Sequence, residues 1–381
     1  MALHEAVELS RYRVTLDGTP LLGARTGVGR YVERLTAELA GQTAFDLSAT
    51  AFTVRAGHRP PDLPATVGWT HRPISARLLQ GAWARTELPP VEWLAGRTDV
   101  FHATNFVLPP VRRARGVVTV HDLSFLRFPD TVSAASQRYR ELVPRSVARA
   151  AVICTPSEAV AAEVSEQYRI DRDRVVATPL GVDDEWFDAQ PLQGDQRTAL
   201  GLPERYILAV GTLEPRKNLA GLVAAYREVR AADPAAPPLV LVGPAGWGAA
   251  LEVSGLPEGS LITTGYLSTD LLRQVVAGSL GLVFPSLYEG FGLPPLEALA
   301  CGRPVVASDL PVTREVLGDA ATLVPSLDVE ALAAAIGQLL SIDSESDAEA
   351  AAVAMRRRHA RRWTWGRCAD ATTRAYHRAL A

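Results

Sequence analysis

The feature that most constrains the fold is an alternation of short apolar runs with amphipathic helical stretches, which the chain carries out twice. In the first half, "RYRVTLDG" reads as a strand and "GVGRYVERLTAELAG" as a helix closed by glycine. "TDVFHAT", "GVVTVHD" and "AAVICTPS" follow as strand-like runs that close on polar residues. "SEAVAAEVSEQY" has helical spacing with Ser157 as N-cap, and "DRVVATPLGVD" completes the unit. Strands separated by helices require crossover connections, so each run predicts an α/β unit on a parallel sheet.

The second run begins after "DDEWFDAQPLQGDQRTALGLPE", a polar, turn-rich segment that reads as a linker. Beyond it, "RYILAVG", "PLVLVGP", "LITTGY", "LGLVFPS" and "RPVVASD" are five short apolar strands. The expected division is a first domain over residues 1–183, a linker over 184–203 and a second domain over 204–364. The last stretch, about 365–381, spaces Trp365, Ala369, Thr372 and Tyr376 as one helical face and is expected to pack back onto the first domain. A length of 381 residues suits two such doubly wound units facing across a cleft, with chemistry at the carboxyl ends of their strands.

Composition narrows the function. A formal charge of −3 argues against a dedicated nucleic-acid binder. Three widely spaced cysteines, Cys154, Cys301 and Cys368, match neither a disulfide framework nor a zinc site and suggest a reducing, cytoplasmic setting. The start, "MALHEAVELSRYRV", has early acids and no apolar core of a signal peptide, and no apolar run is long enough to span a bilayer.

Lys217 is the only lysine among 39 basic side chains. It stands in "AVGTLEPRKNLAGLV", where a strand gives way through Gly211 to a helix that Asn218 is placed to cap. Arg216 and Lys217 thus sit at a helix N-terminus, where the dipole disfavours cations by a few tenths to about 1 kcal/mol. A bound anion between them and the backbone N–H groups reverses that cost, and a diphosphate suits the geometry. A second stretch, "VFPSLYEGFGLPPLEALACGRPVVAS", ends a strand near Pro285 and opens a helix at Pro294 or Pro295. Glu289 on its loop and Glu297 in its helix are carboxylates able to grip vicinal hydroxyls, while Gly290 and Gly292 let the backbone approach a ligand.

Glu289 and Glu297 in this setting resemble the E-x7-E signature of retaining glycosyltransferases of family 4, which have the GT-B fold of two facing Rossmann-like domains. "GTLEPRKN" is similar to the family's G-x-L-x-x-x-K-[GN] element, and "TPLGVD", "GYLSTDLL" and "WTWGRCA" stand in family order. The resemblance implies that Gly211, Thr212, Arg216 and Lys217 hold the donor diphosphate. It implies Glu289 on the transferred sugar, Glu297 on the ribose, Leu267 against the base, and the amides of Gly290, Phe291, Gly292 and Leu293 on hydroxyls or phosphate. Many members carry arginine where this chain has Thr212, which shifts charge neutralisation onto Arg216. In the first domain, "TGVGRYV" is only a partial dinucleotide fingerprint but resembles the family's glycine loop. That implies Gly27 and Gly29 over the donor phosphate, with Arg30 and Tyr31 as acceptor contacts. His121, at the end of the run "VVTVHD", is implied as a catalytic-cleft contact to the donor sugar, and Asp122 as its neighbour on the acceptor side.

The implied activity is hexosyl transfer from a nucleotide-diphosphate sugar, with GDP-mannose as first donor and a UDP-sugar as second. The acceptor is a carbohydrate, a polyprenyl-linked sugar or a small molecule, and no metal or other cofactor is required. A catalytically silent sugar-nucleotide-binding subunit and another GT-B enzyme, such as a nucleotide-sugar epimerase, remain as alternatives. "DRD" at Asp171–Asp173 matches a metal-binding D-x-D but precedes a first-domain strand and reads as a solvated turn. The arginine-rich "RRRHARRW" and "VRRARG" read as solvated faces, leaving weak peripheral membrane contact open. Oligomeric state is not legible.

Overall fold

The computed structural model of the protein describes residues 11–23, 27–54, 57–247 and 251–381; the N-terminal stretch read for a leader falls mostly outside them. The first domain holds seven strands: β1 (Tyr12–Asp17), β2 (Phe45–Phe52), β3 (Gly68–Arg72), β4 (Val100–Ala103), β5 (Arg115–Thr119), β6 (Val152–Thr155) and β7 (Val175–Ala177). They are parallel throughout, in the order β3-β2-β1-β4-β5-β6-β7. The second domain holds β8 (Ile207–Val210), β9 (Leu239–Val242), β10 (Leu261–Gly265), β11 (Gly281–Phe284), β12 (Val305–Ser308) and β13 (Thr322–Val324). These are also parallel, in the order β10-β9-β8-β11-β12-β13.

The central strands β4, β5, β6, β8, β9, β11 and β12 are buried almost end to end, which is why they read as continuous apolar runs. Strands β2, β3 and β13 escaped the sequence reading. At the sheet edge, β3 is "GWTHR", with no buried residue and so no apolar signature. Both sheets reverse strand order next to their first strand, between β1 and β4 and between β8 and β11. Ligand crevices in such sheets open at those switch points, beyond the strands' carboxyl ends.

Ser157 caps the helix Glu158–Tyr168, its hydroxyl accepting from the Val160 N–H. The expected linker is more ordered than its polar composition suggests. It contains a 3-10 turn, Asp184–Trp186, and a short helix, Gly194–Ala199, and it buries Trp186, Phe187, Leu192 and Leu202. The helix Asp347–Ala360 packs on the second-domain helix Leu293–Ala300, and the last helix, Trp365–Leu380, crosses back to β4–β7 and to the helix Gly27–Ala40. Trp365, Ala369, Thr372 and Tyr376 are all buried there. The "RRRHARRW" stretch is less solvated than expected: Arg356 is buried, bound to Glu349 and to the Gly302 carbonyl, and Arg361 stacks over Phe187. The "DRD" stretch is a 3-10 turn in which Asp171 accepts from the Asp173 N–H. Among the described residues no helix is long and apolar enough to cross a membrane.

Candidate active site

The second-domain half of the site follows from sheet order. The segment after β8 carries Gly211 to Lys217, and the segment after β11 carries Ser286 to Gly292. Because β8 and β11 are adjacent in the sheet, these segments meet although they lie 72 residues apart in the chain. Lys217 Nζ donates to Glu289 Oε1 at 2.6 Å and lies 4.9 Å from the centre of the Phe284 ring. Arg216 Nη1 donates to the Tyr288 carbonyl at 2.7 Å and to Glu289 Oε2 at 2.9 Å, and Nη2 donates to Glu214 Oε1 at 2.6 Å.

All three charged groups are largely buried. Burial alone would raise the Glu289 pKa, but the Arg216 guanidinium and the Lys217 ammonium outweigh it and hold the carboxyl at about 2. Arg216 is held more firmly protonated by Glu289, Asp122 and Glu214 than its burial opposes. Lys217 closes a 3-10 turn, Pro215–Lys217, ahead of the helix Leu219–Ala232. Asn218 occupies the N-cap position as expected, but in the left-handed region (φ 52°) and without a side-chain cap. Gly292, at φ 101°, caps the helix Leu293–Ala300, a backbone conformation that favours glycine, and Pro294 and Pro295 follow in its first turn.

The first domain supplies the facing wall. His121 follows β5, and its Nε2 lies 2.8 Å from the carbonyl of Thr104, which follows the neighbouring strand β4. A carbonyl only accepts, so Nε2 carries the proton and Nδ1 keeps a lone pair. Burial lowers the His121 pKa, favouring this neutral form. The ring is clamped edge-on by Tyr31 and Phe106. Asp122 Oδ1 accepts from the backbone N–H and the hydroxyl of Ser124, at 2.9 and 2.7 Å, and so shapes the turn after His121.

A cleft of about 360 Å³ lies between these walls, lined by Gly27, His121, Asp122, Thr212, Lys217 and Glu289 among others. Gly211, Arg216, Tyr31 and the run Gly290–Pro294 also border it. The domains touch around the cleft. Ser157 Oγ donates to the Gly290 carbonyl at 2.9 Å, Tyr288 Oη accepts from Leu123 N at 2.8 Å, and Trp247 Nε1 donates to the Thr131 carbonyl at 2.8 Å.

Five expected contacts are placed differently. Arg30 does not face an open acceptor surface: it forms ion pairs with Glu297 and Asp183 and is mostly buried. Tyr31 borders the cleft with its ring, but it is 1 % exposed and its hydroxyl is bound to Thr119 Oγ1 at 2.9 Å, so it supports His121 rather than offering a polar contact. Leu267 packs against the hydrophobic core outside the cleft lining, and Gly29 is buried within its helix. Glu297, 3 % exposed, sits behind the lining under Arg30. Asp183 and His102 were not anticipated. His102 is buried with Nδ1 2.8 Å from the Tyr376 hydroxyl and Nε2 2.8 Å from Thr119 Oγ1. Spacing held no sign of either.

The chain is similar to known proteins in both halves. Residues 204–342 match the family described as "Glycosyl transferases group 1", and residues 25–186 match "Glycosyltransferase Family 4". O-antigen chain mannosyltransferase B of Escherichia coli is 35 % identical over 288 residues, covering 73 % of this chain and 74 % of that protein. The chain belongs to glycosyltransferase family 4. A D-inositol 3-phosphate glycosyltransferase of Stackebrandtia nassauensis is also similar, 31 % identical over 76 % of this chain and 67 % of its own. Among solved structures, sucrose-phosphate synthase from Thermosynechococcus elongatus superposes with a TM-score of 0.70 at 19 % identity, covering 96 % of this chain and 98 % of that one. Anabaena HepE, solved with UDP and glucose, superposes with a TM-score of 0.67 at 19 % identity, covering 96 % and 98 %. The fold of this glycosyltransferase is therefore GT-B.

Proposed function

We propose that this glycosyltransferase moves a mannosyl group, with retention of anomeric configuration, from GDP-mannose to a sugar-bearing acceptor. The observation that carries the reading is the meeting of Lys217 and Arg216 with Glu289 at the switch point of the second sheet, opposite His121. The mannosyl preference draws on the similarity to O-antigen mannosyltransferases. The acceptor is read as a carbohydrate, free or lipid-linked.

In the transfer, the bond between the anomeric carbon and the donor's phosphate oxygen breaks while the acceptor oxygen bonds to the same face of that carbon. The acceptor proton passes to the departing diphosphate. Negative charge gathers on that diphosphate, and Lys217, with two N–H donors beyond the one given to Glu289, and Arg216 are preorganised to receive it. Their charge supplies what a divalent ion would otherwise supply. His121 Nδ1 is placed to accept from a sugar hydroxyl. Glu289 orients the transferred sugar while its negative charge faces the developing positive charge at the anomeric carbon. Contact between the domains excludes water that would hydrolyse the donor.

Calorimetry with GDP and UDP, followed by NMR of the product formed from GDP-mannose and a mannoside acceptor, tests the reading. GDP binding and an axial anomeric linkage are expected. Binding of UDP alone would move the donor to a UDP-sugar, and inversion at the anomeric carbon would overturn the mechanism.

A further inference from the structure

The first-domain helix Glu158–Tyr168 is gripped from the second domain along its first two turns. Its N-cap, Ser157, donates to the Gly290 carbonyl, and Glu315, on the helix Pro311–Leu317, accepts from the Glu158 and Ala159 N–H groups at 2.8 Å each. One turn further on, Tyr288 Oη donates to Glu163 Oε2 at 2.5 Å, while Glu163 Oε1 accepts from Arg127 Nε at 2.7 Å. The same phenol oxygen accepts from the buried Leu123 N–H at 2.8 Å, and the ring lies beside Phe128, with 5.6 Å between centres. Tyr288 is therefore tied to the first domain at the turn after His121, and to the second through its own carbonyl, which accepts from Arg216. Glu289 follows it directly in the chain.

We propose that Tyr288 is a positioning residue for transfer: its hydroxyl sets the spacing between the His121 turn and the Glu289 loop, which face each other across the cleft. This rests on the reading of that cleft as the place of transfer. The phenol is fixed from both sides. Burial raises its pKa, and the charges of Asp122 and Glu163 add to the rise, so the oxygen keeps the proton it gives to Glu163. A lone pair is left for the Leu123 N–H, a backbone group held in place by the hydrogen bonds from Ser124 to Asp122. A misplacement of about 1 Å between reacting groups can cost on the order of a hundredfold in rate. One hydrogen bond between the two walls acts on that scale. Glu315 provides the contrast: it ties the same helix to the second domain, but its partners belong to neither the His121 turn nor the Glu289 loop.

Steady-state kinetics separate positioning from bracing. Tyr288→Phe keeps the ring and removes the hydroxyl. With the donor that the wild type uses, kcat for transfer should fall about tenfold or more, while both KM values and the affinity for GDP or UDP stay within about twofold. A larger share of the cleaved donor should go to water, because the acceptor is no longer aligned. Glu315→Ala loosens the domains without touching either wall, so it should raise both KM values and leave kcat within about threefold. Glu163→Ala removes the phenol's anchor but leaves Leu123 its acceptor, so it should lower kcat less than Tyr288→Phe does, and the two effects should not add in full. Wild-type kcat in Tyr288→Phe would overturn the proposal. So would raised KM values with kcat kept, the pattern of Glu315→Ala, since Tyr288 would then be only a brace. Should Tyr288→Phe fail to fold, Glu163→Ala decides: lowered kcat at constant KM supports the proposal and unchanged kcat overturns it. A wild type that transfers from neither GDP-mannose nor a UDP-sugar would overturn the functional reading and this inference with it. A wild type that transfers, beside an unchanged Tyr288→Phe variant, would overturn this inference alone.

Discussion

The only lysine in the chain sits where its shape can be tested. Its Cε would lie 3.2 Å from a Cβ built on Gly211, its ammonium stands over Phe284, and Glu289 accepts a hydrogen bond from it. A guanidinium is broader and planar, so Lys217→Arg should be impaired despite the retained charge. Lys217→Ala should weaken GDP binding by on the order of a hundredfold, the cost of removing a close charge pair from a buried phosphate site; calorimetry reads both variants. Glu289→Gln frees Lys217 and Arg216 from a competing anion, so GDP binding should persist or tighten while transfer is lost; loss of both together would remove Glu289 from the sugar. Because Glu289 is held at about 2, its ionisation stabilises the fold fully above the usual carboxylate range and is lost only as pH falls toward that value. An acid limb in the rate between pH 5 and 7 must therefore come from another group.

At the scale of elements, the critical approach is between two loops. A Cβ on Gly290 would stand 2.0 Å from the His121 carbonyl oxygen, so the turn after β11 lies directly on the turn after β5. Gly290→Ala must push the domains apart. We expect a transfer rate at least tenfold lower, with nucleotide binding less affected, since Arg216 and Lys217, the charges proposed to hold the diphosphate, both belong to the second domain. Small-angle scattering should show a larger radius for the variant than for the wild type in the presence of GDP; equal radii and equal rates would remove this contact from closure. Helix and strand positions near the site were largely legible, because buried parallel strands announce themselves as apolar runs. The exceptions have physical causes: β3 is a polar edge, and the linker's Trp186 is buried in a hydrophobic core, with Arg30 over its ring, that local sequence cannot name.

Across the whole molecule, a polar thread runs from the last helix to the cleft. The Tyr376 hydroxyl meets His102 Nδ1, His102 Nε2 meets Thr119 Oγ1, and Thr119 meets the Tyr31 hydroxyl, whose ring clamps His121. Burial lowers the His102 pKa from its ordinary value of 6.5 to about 3. The unfolded chain therefore gains a proton below about 6.5 that the folded protein refuses until about 3. Stability should fall with decreasing pH across that window, by up to about 1.4 kcal/mol per pH unit. Urea midpoints at pH 7.5, 6 and 5 measure the slope, and His102→Gln should be less stable at pH 7.5 but lack this part of the slope. An identical slope in the variant would assign the acid sensitivity elsewhere.

What the sequence determined by itself was the local chemistry: two βα series, a glycine turn delivering a lone lysine, and two carboxylates eight residues apart on a loop and its helix. Those follow from periodicity, backbone freedom and charge, all of which act over a few residues. Tertiary structure decided which groups meet. Lys217 reaches Glu289 because β8 and β11 are sheet neighbours, and Arg30 reaches Glu297, 267 positions away, because the first-domain helix faces the second domain across the linker. That pairing took Arg30 from the acceptor side to a buried carboxylate. A buried charge must find an opposite charge wherever the fold brings one, and no spacing along the chain records where that will be.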